Sequence, residues 1–551
     1  MPDADHQRGA GNKRLKGFRV VSGLTLASRF AGLARDILMA GLFGTGWVLD
    51  TFTVAFRIPG MFRRLFGEGA MTAAFLPQFV NEDHDHGREA ASDLFSAVAR
   101  QLTRWLALLV IAAELGLLNA LLLLDLSDRS ALLVQLTILL LPYSLLICVA
   151  ALYCAALNGV QHFWVPAMLP IVLNIAWFSG GLLSMAFLSV DEDQVRIIAL
   201  SILLGGTVQL AIVVRQSQQF GIRIRLDVVS DEMRQRVGTL FRQMGPVLFG
   251  LSIMQLNAMV DTLLAWLLAQ PAGSLPGFLE RFRLAEGTAS ALYLGQRLFQ
   301  LPLGVFGVAL GTILFPRFAR HAAAGDSREL RRDIVHGLQL VLVVGIPASA
   351  GLWLMAEPIT DLLFRHGAFG AEDVQLTARI IRTYGTGVWV FCGLLIVNKV
   401  FYAASDRFTA ARQGLVCVGL NLILNVVLLP WLHEPALPLA SVLATLFQLG
   451  LALKVLRRRY LTTGLGVFIP VLWRSVLATA LMAGCCLVLQ SCPIGENSTW
   501  SRLLRTALPI GVCLAIYWIL LRLTGLLPQR LLTEPFEQDE RGAVTETDGV
   551  D

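Results

Sequence analysis

The chain has 551 residues, of which 55% are hydrophobic and only 15% charged, and its mean hydropathy is +0.65. Soluble domains carry about 25% charged residues, so a water-soluble globular fold is excluded. The net charge of +6 comes from basic residues spread through short loops and not gathered in one patch, which argues against a nucleic-acid partner.

In chain order, the basic N-terminus (1–19) enters the first apolar stretch without an A-x-A-like cleavage site and reads as a retained cytoplasmic tail. Apolar runs of about 20 residues, the length a helix needs to cross the hydrocarbon core, then recur to the far end. Fourteen spans are predicted, at 20–43, 48–79, 100–124, 131–157, 165–189, 196–214, 244–269, 288–314, 334–355, 376–403, 409–430, 436–456, 472–490 and 503–526. The fold class is therefore an all-α polytopic membrane protein. An acidic, polar tail (527–551) has the composition of a disordered segment. Cysteines fall mostly within spans and lack C-x-x-C spacing, so they read as small buried apolar residues.

Cations alternate between loops. One set holds few, such as Arg129, Arg196 and Arg365. The other holds many, including six arginines in the basic loop 215–243 and Lys454 with Arg457, Arg458 and Arg459. The positive-inside rule then places both termini in the cytoplasm.

The chain also resembles itself. "AMTAAFLPQF" (70–79) lies over "ALGTILFPRF" (309–318), and a second match ending at Asn174 lies over one ending at Asn421. Six spans per copy give two lobes of the same orientation, 20–214 and 244–456, around an interface where transporters place their sites. Residues 457–526 stand outside the duplication.

The first span, "ASRFAGLARDILMAGLFG" (27–44), carries Arg29, Arg35 and Asp36. Each such charge costs about 2.5–3.5 kcal/mol at a bilayer centre. Arg29 and Asp36 are seven residues apart and so share a helix face to within about 20°. The second span adds Asp50, Arg57, Arg63, Arg64 and Glu68, with a kink or break expected at "IPG" (58–60), and the eighth adds Arg297. Facing lipid, this set would cost more than ~10 kcal/mol by the same scale, so it must face a water-filled cavity. Internal ion pairs such as Arg35 with Asp36 or Arg64 with Glu68 explain part of it. Six arginines against three carboxylates leave a surplus, and a planar guanidinium fork suits phosphate.

On these residues the chain resembles the MurJ (MviN) family of bacterial lipid II flippases in the MOP exporter superfamily. "SRFAGLARDILMAGLFGTGWVLDTFTVAFRIPGMFRRLFGEGAMTAAFLPQF" carries the likeness, as do "SALYLGQRLFQLPLGVFGVALGTILFPRF" and "FRQMGPVLFGLSIMQLNAMVDTLLAWLL". The resemblance implies fourteen spans, two lobes around a cationic cavity, and a groove for a polyprenyl tail on the last two spans. It implies that no bond is made or broken, and that the substrate is undecaprenyl-diphosphate-linked disaccharide peptide (lipid II), moved outward across the bacterial inner membrane by alternating access. Membrane lipids and the cell-wall synthesis machinery are the other expected partners. By position, its essential arginines fall on Arg29, Arg35, Arg63 and Arg297, its acidic partners on Asp36, Asp50 and Glu68, and its eighth-span serine on Ser290. This chain departs from the family pattern at Arg57, usually lysine, and at Gln296, usually aspartate. It departs again at "DRFTA" (406–410), which lacks a proline. A polysaccharide-repeat flippase, a cation-coupled drug exporter and a non-transporting cell-wall scaffold stay open as alternatives. The cationic cavity argues against the exporter and the retained arginines against the scaffold.

Asp261, Asn421, Asn425 and Ser441 supply oxygen atoms at membrane depth and resemble the sodium site of some family members, although a second aspartate is replaced by Asn425. Buried amides bonded to neighbouring helices are the alternative. No other cofactor is expected. "DHDH" (83–86) and "DED" (191–193) read as solvated loop charges.

Overall fold

Within a bilayer every backbone N–H and C=O must find its partner inside the protein, which leaves long helices as the economical way for these apolar runs to cross. The computed structural model describes residues 2–225, 230–271, 273–460, 465–492 and 498–525. Its α-helices are α1 (Pro2–Phe43), α2 (Trp47–Phe62), α3 (Leu76–Asp85), α4 (Gly87–Leu123), α5 (Asp128–Gly159), α6 (Trp164–Phe187), α7 (Asp191–Gln219), α8 (Asp231–Leu268), α9 (Thr288–Pro302), α10 (Ala309–Ala323), α11 (Ser327–Phe364), α12 (Ala371–Gly385), α13 (Val388–Ala403), α14 (Arg407–Leu432), α15 (Ala436–Arg459), α16 (Ile469–Gln490) and α17 (Thr499–Leu523). The predicted N-terminal tail is helical and continuous with the first span. The predicted acidic tail lies outside the described residues.

Among the described residues, ten helices or helix series are long and apolar enough to cross a membrane, or eleven if α12 and α13, bent by 45° at their junction, count as one span. The count is smaller than fourteen for identifiable reasons. Arg29, Arg35 and Asp36 interrupt the first stretch. The second is divided: α2 ends at Phe62, and Arg63–Phe75 winds as a π-helix before α3. Several side chains of the stretch 244–269 lie outside the described residues.

The expected break after "IPG" therefore takes a specific form. Pro59 stays inside α2, and the hydrogen-bond register widens to i→i+5 from Arg63, four residues later. The same device recurs in the second copy of the repeat, where Leu303–Val308 is π-helical between α9 and α10.

The chain forms two compact units. One comprises Met1–Leu294, Leu363–Thr377 and Val418–Leu437, the other Gly295–Leu362, Ala378–Cys417 and Pro438–Asp551. In the first, α5 packs against α2, α4 and α7, and α6 against α1 and α7. Phe75, Phe79, Phe95 and Tyr143 are fully buried there. Small residues allow the close approach: a Cβ on Gly180 would lie 2.1 Å from Ser201 Oγ, and one on Gly206 would lie 2.4 Å from the Tyr143 ring. The outer face of α4, with Leu108, Leu109 and Ile111 exposed, suits hydrocarbon. In the second unit α16 and α17 pair and bury Met482, Cys486, Cys513 and Tyr517 against Leu354 and Met355 of α11.

Candidate functional site

Arg35 and Asp36 are adjacent in α1 and both buried, at 5% and 2% exposure. The Arg35 guanidinium donates to Asp36 Oδ1 from Nε (3.0 Å) and from one terminal nitrogen (2.6 Å), to Tyr293 Oη (2.8 Å) and to Asn174 Oδ1 (3.0 Å). Its carbon lies 3.9 Å from the centroid of the Trp177 ring. Tyr293 in turn donates to Asp36 Oδ1 at 2.9 Å, and Asn174 donates to the Ser28 carbonyl. The expected ion pair is present, and it is the centre of a network joining α1, α6 and α9. A guanidinium stacked on one side and bonded along its fork is held as part of the scaffold.

Asp50, at 0% exposure, is committed elsewhere. Its Oδ2 accepts from the Gly287 N–H (2.9 Å) and its Oδ1 from the Ser290 N–H (2.7 Å). It thus caps the N-terminus of α9 from a different helix, where orphan donors and the helix dipole favour a carboxylate. Ser290 uses its backbone N–H for that bond and its hydroxyl to cap the Gly287 carbonyl at 2.9 Å. Arg129 approaches Asp50 to 3.7 Å and is itself held by the carbonyls of Trp266 and Ala269. Gly287 sits at φ +84, and a Cβ there would lie 1.8 Å from the Thr45 carbonyl oxygen, so only glycine fits. Around this junction Trp47 N–H bonds Glu286 (3.0 Å), Ala368 N–H bonds the Gly41 carbonyl (2.8 Å), and the Thr45 hydroxyl bonds Asp373.

The other arginines differ from one another. Arg57 donates to the Ala258 carbonyl (2.9 Å) and Arg64 to Gln255 Oε1 (3.0 Å), tying α2 and the π-helix to α8. Arg63 is half-buried, and Arg297 is exposed in α9 on the second unit. Arg29 is exposed and makes no hydrogen bond or ion pair among the described residues. The Glu68 side chain lies outside the described residues. Gln296 donates to Tyr384 Oη at 3.1 Å, so at the position where the family's aspartate is usual the neighbour is a tyrosine.

The sequence profile described as Lipid II flippase MurJ matches residues 39–507. The chain belongs to the MurJ lipid II flippase family. As a MurJ-family member it is 31% identical over 436 residues to a probable lipid II flippase MurJ of Rhizobium tropici, covering 78% of each chain. It is 29% identical over 535 residues to that of Vibrio cholerae, covering 93% of this chain and 96% of the relative. Its fold matches a solved lipid II flippase MurJ in an inward closed conformation, with TM-score 0.72 at 21% identity over 91% of this chain and 98% of the other. An inward-facing MATE transporter of the MOP superfamily matches with TM-score 0.60 at 12% identity, over 80% and 97%. The MurJ-family chain is thus a multi-pass helical membrane protein.

Sequence reasoning missed Arg129, Asn174, Trp177 and Tyr293. Arg129 looked like a loop cation and Tyr293 like one more residue of an apolar face. Their roles depend on contacts more than 100 residues away in the chain. The residues of the sodium reading are placed as follows in the structure. Asn425 turns its amide nitrogen to Asp261 Oδ1 (2.7 Å) and to Asn421 Oδ1 (3.1 Å), so hydrogens and not converging oxygens meet the carboxylate. These two bonds are the amide contacts that the buried-amide alternative expects. Asp83 of "DHDH" pairs with Arg88 at 2.6 Å, and "DED" opens α7, where acids favour the helix dipole.

Proposed function

We propose that this MurJ-family chain is a lipid II flippase that moves undecaprenyl-diphosphate-linked disaccharide peptide from the cytoplasmic to the outer leaflet by alternating access, without chemistry. The observation that carries the reading is charge balance. Asp36 is spent on Arg35 and Asp50 on the end of α9 and Arg129. Arg129 is thus a further cation that draws on the three carboxylates of these spans, against which the sequence sets six arginines. A diphosphate, with two anionic centres and several acceptor oxygens, matches a set of guanidinium forks. In this reading Arg29, Arg63 and Arg297 contact the diphosphate directly, while Arg57 and Arg64 set the position of α8 and Arg35 sets that of α1.

The finer topology belongs to the same proposal: fourteen spans, two parallel six-span lobes, both termini cytoplasmic, and 457–526 as the groove for the polyprenyl chain. The junction of Gly41, Thr45 and Asp50 with Gly287, Ser290, Ala368 and Asp373 then closes the outer side of the first unit. It consists of a handful of polar bonds, which suits a contact that must open and re-form in each cycle.

The test is depletion of the native protein in its host, with complementation by variants. Wild type should restore growth and prevent lipid II from accumulating in the cytoplasmic leaflet. Arg29→Ala, Arg63→Ala and Arg297→Ala should each fail, and the lysine variants should recover only weakly. Full complementation by all three alanine variants would refute the assignment.

A further inference from the structure

A second basic site lies away from the arginines of the transport reading. The start of α8 packs against α4 and leaves a cleft of about 530 Å³. Arg100 and Arg104 of α4 and Arg234 of α8 line it, together with Trp105, Met233 and Phe241, and no acidic side chain lines it among the described residues. Arg100 donates to the Arg225 carbonyl at 2.9 Å, which fixes it at the cleft. Arg104 is exposed and makes no hydrogen bond or ion pair among the described residues. The acid near Arg234 is Asp231, at 3.8 Å and 95% exposed, and so exposed a pair neutralises little.

Position matters as much as charge. The apolar run of α4 begins at Trp105, which is 61% exposed, and the two arginines fall within the turn and a half before it. That is where a bilayer passes from hydrocarbon to headgroups, the depth that tryptophan and arginine favour. Opposite them, α8 is amphipathic at its start. Met233, Val237, Leu240, Phe241 and Met244 recur at helical spacing, Arg234 lines the cleft beside Met233, and Arg236 pairs with Glu82 and Glu232. The cleft thus joins three arginines to an apolar lining, and the exposed Leu108 and Leu109 of α4 follow Trp105 by one helical turn.

We propose that this cleft binds the phosphate headgroup of an anionic glycerophospholipid from the surrounding leaflet, with Arg100, Arg104 and Arg234 on the phosphate and Trp105 and Phe241 against the first acyl carbons. Guanidinium groups bind phosphate oxygens in pairs, and basic residues at a membrane surface draw anionic lipid from the bulk. Inorganic phosphate shares the charge but leaves the apolar half unused. A polyprenyl diphosphate shares both, and the experiment separates it. The proposal does not depend on which substrate is transported.

The test uses the purified full chain in detergent, titrated with phosphatidylglycerol or phosphatidylcholine, with bound lipid counted by native mass spectrometry. Phosphatidylglycerol should half-saturate at least about tenfold lower than phosphatidylcholine, since each arginine at a surface contributes about fivefold. The triple variant Arg100→Gln, Arg104→Gln and Arg234→Gln should lose that preference, and Arg328→Gln, at the start of α11, should keep it. A preference that persists in the triple variant overturns the proposal. So does displacement of the bound lipid by millimolar inorganic phosphate or by stoichiometric undecaprenyl diphosphate. Should the triple variant fail to fold, quenching by phosphatidylglycerol with brominated chains, compared between wild type and Trp105→Phe, reads the cleft with its arginines intact. Equal quenching in the two proteins overturns the proposal.

Discussion

Arg29 and Arg35 are six residues apart in one helix and have the same charge, yet their surroundings assign them different work. Arg35 is buried, stacked on Trp177 and bonded to Asp36, Tyr293 and Asn174, whereas Arg29 is exposed and makes no polar contact among the described residues. Replacing Asp36 by asparagine removes the counter-charge of a buried guanidinium, which costs about 3–5 kcal/mol. Asp36→Asn should therefore lower the thermal midpoint of the purified protein by several degrees, while Arg29→Ala, an exposed change worth within about 0.5 kcal/mol, should leave the midpoint in place and abolish transport. A large loss of stability in Arg29→Ala, with Asp36→Asn unaffected, would reverse the two roles. That six arginines outnumber three acids was legible in the sequence; which arginines had partners was not, because Asn174 and Tyr293 lie 139 and 258 residues from Arg35.

Helix ends and helix pairs carry the next set of consequences. At the start of α14, Asp406 accepts from the Thr409 N–H (3.1 Å) and hydroxyl (2.8 Å) and from Arg459. This is an N-cap that works without the proline of the family's turn. Partial burial raises the pKa of Asp406, but the Thr409 bonds and the Arg459 charge outweigh it and hold the carboxyl below its usual range. Its stabilising effect is thus fully present above the unfolded pKa of about 3.9 and is lost as pH falls through the folded value. Asp406→Ala should cost about 1 kcal/mol at neutral pH in a thermal or denaturant melt, and the difference from wild type should vanish under strong acid. An unchanged difference at low pH would remove the carboxylate from the explanation. At the other end of the chain, α16 and α17 pack on α11 through Met482, Cys513 and Tyr517, and the Tyr517 hydroxyl donates to the Val343 carbonyl at 2.5 Å. On the proposed two-lobe duplication this pair stands outside it, so a chain ending near Arg459 should still insert, as glycosylation or protease mapping would show, and yet lose lipid II export. Normal export by that truncation would remove the pair from substrate handling.

For the molecule as a transporter, the proposed diphosphate site on Arg29, Arg63 and Arg297 predicts a role for membrane potential. Moving one elementary charge through 100 mV is worth about 2.3 kcal/mol, so outward passage of a bare diphosphate in a cell with a negative interior gains about 4–5 kcal/mol. The accompanying guanidinium groups reduce that gain in the loaded step. On the proposed site the same groups, once emptied of substrate, would be drawn back toward the cytoplasm, and the potential would reset the carrier. In the Asp261–Asn425–Asn421 cluster the Asn425 amide donates to Asp261 and Asn421, and the proposed cycle uses no sodium gradient. Export measured in vesicles should fall when valinomycin and potassium collapse the potential and should continue when sodium is withdrawn. Arrest on sodium withdrawal alone would contradict this account.

Helical class, membrane residence, the duplication and the identity of the charged positions are properties of local pattern. Apolar run length, loop cations and a 239-residue offset can be counted along a chain without knowing what touches what. The partners of those charges were decided by the tertiary structure. Asp50 looked like a cavity acid and instead caps α9; Asn425 looked like a cation ligand and instead donates to Asp261; the break after Pro59 became a π-helix that its repeat shares. The reason is the same in each case. A buried polar group must be satisfied wherever packing places it, and packing joins residues whose separation in sequence carries no signal of their contact.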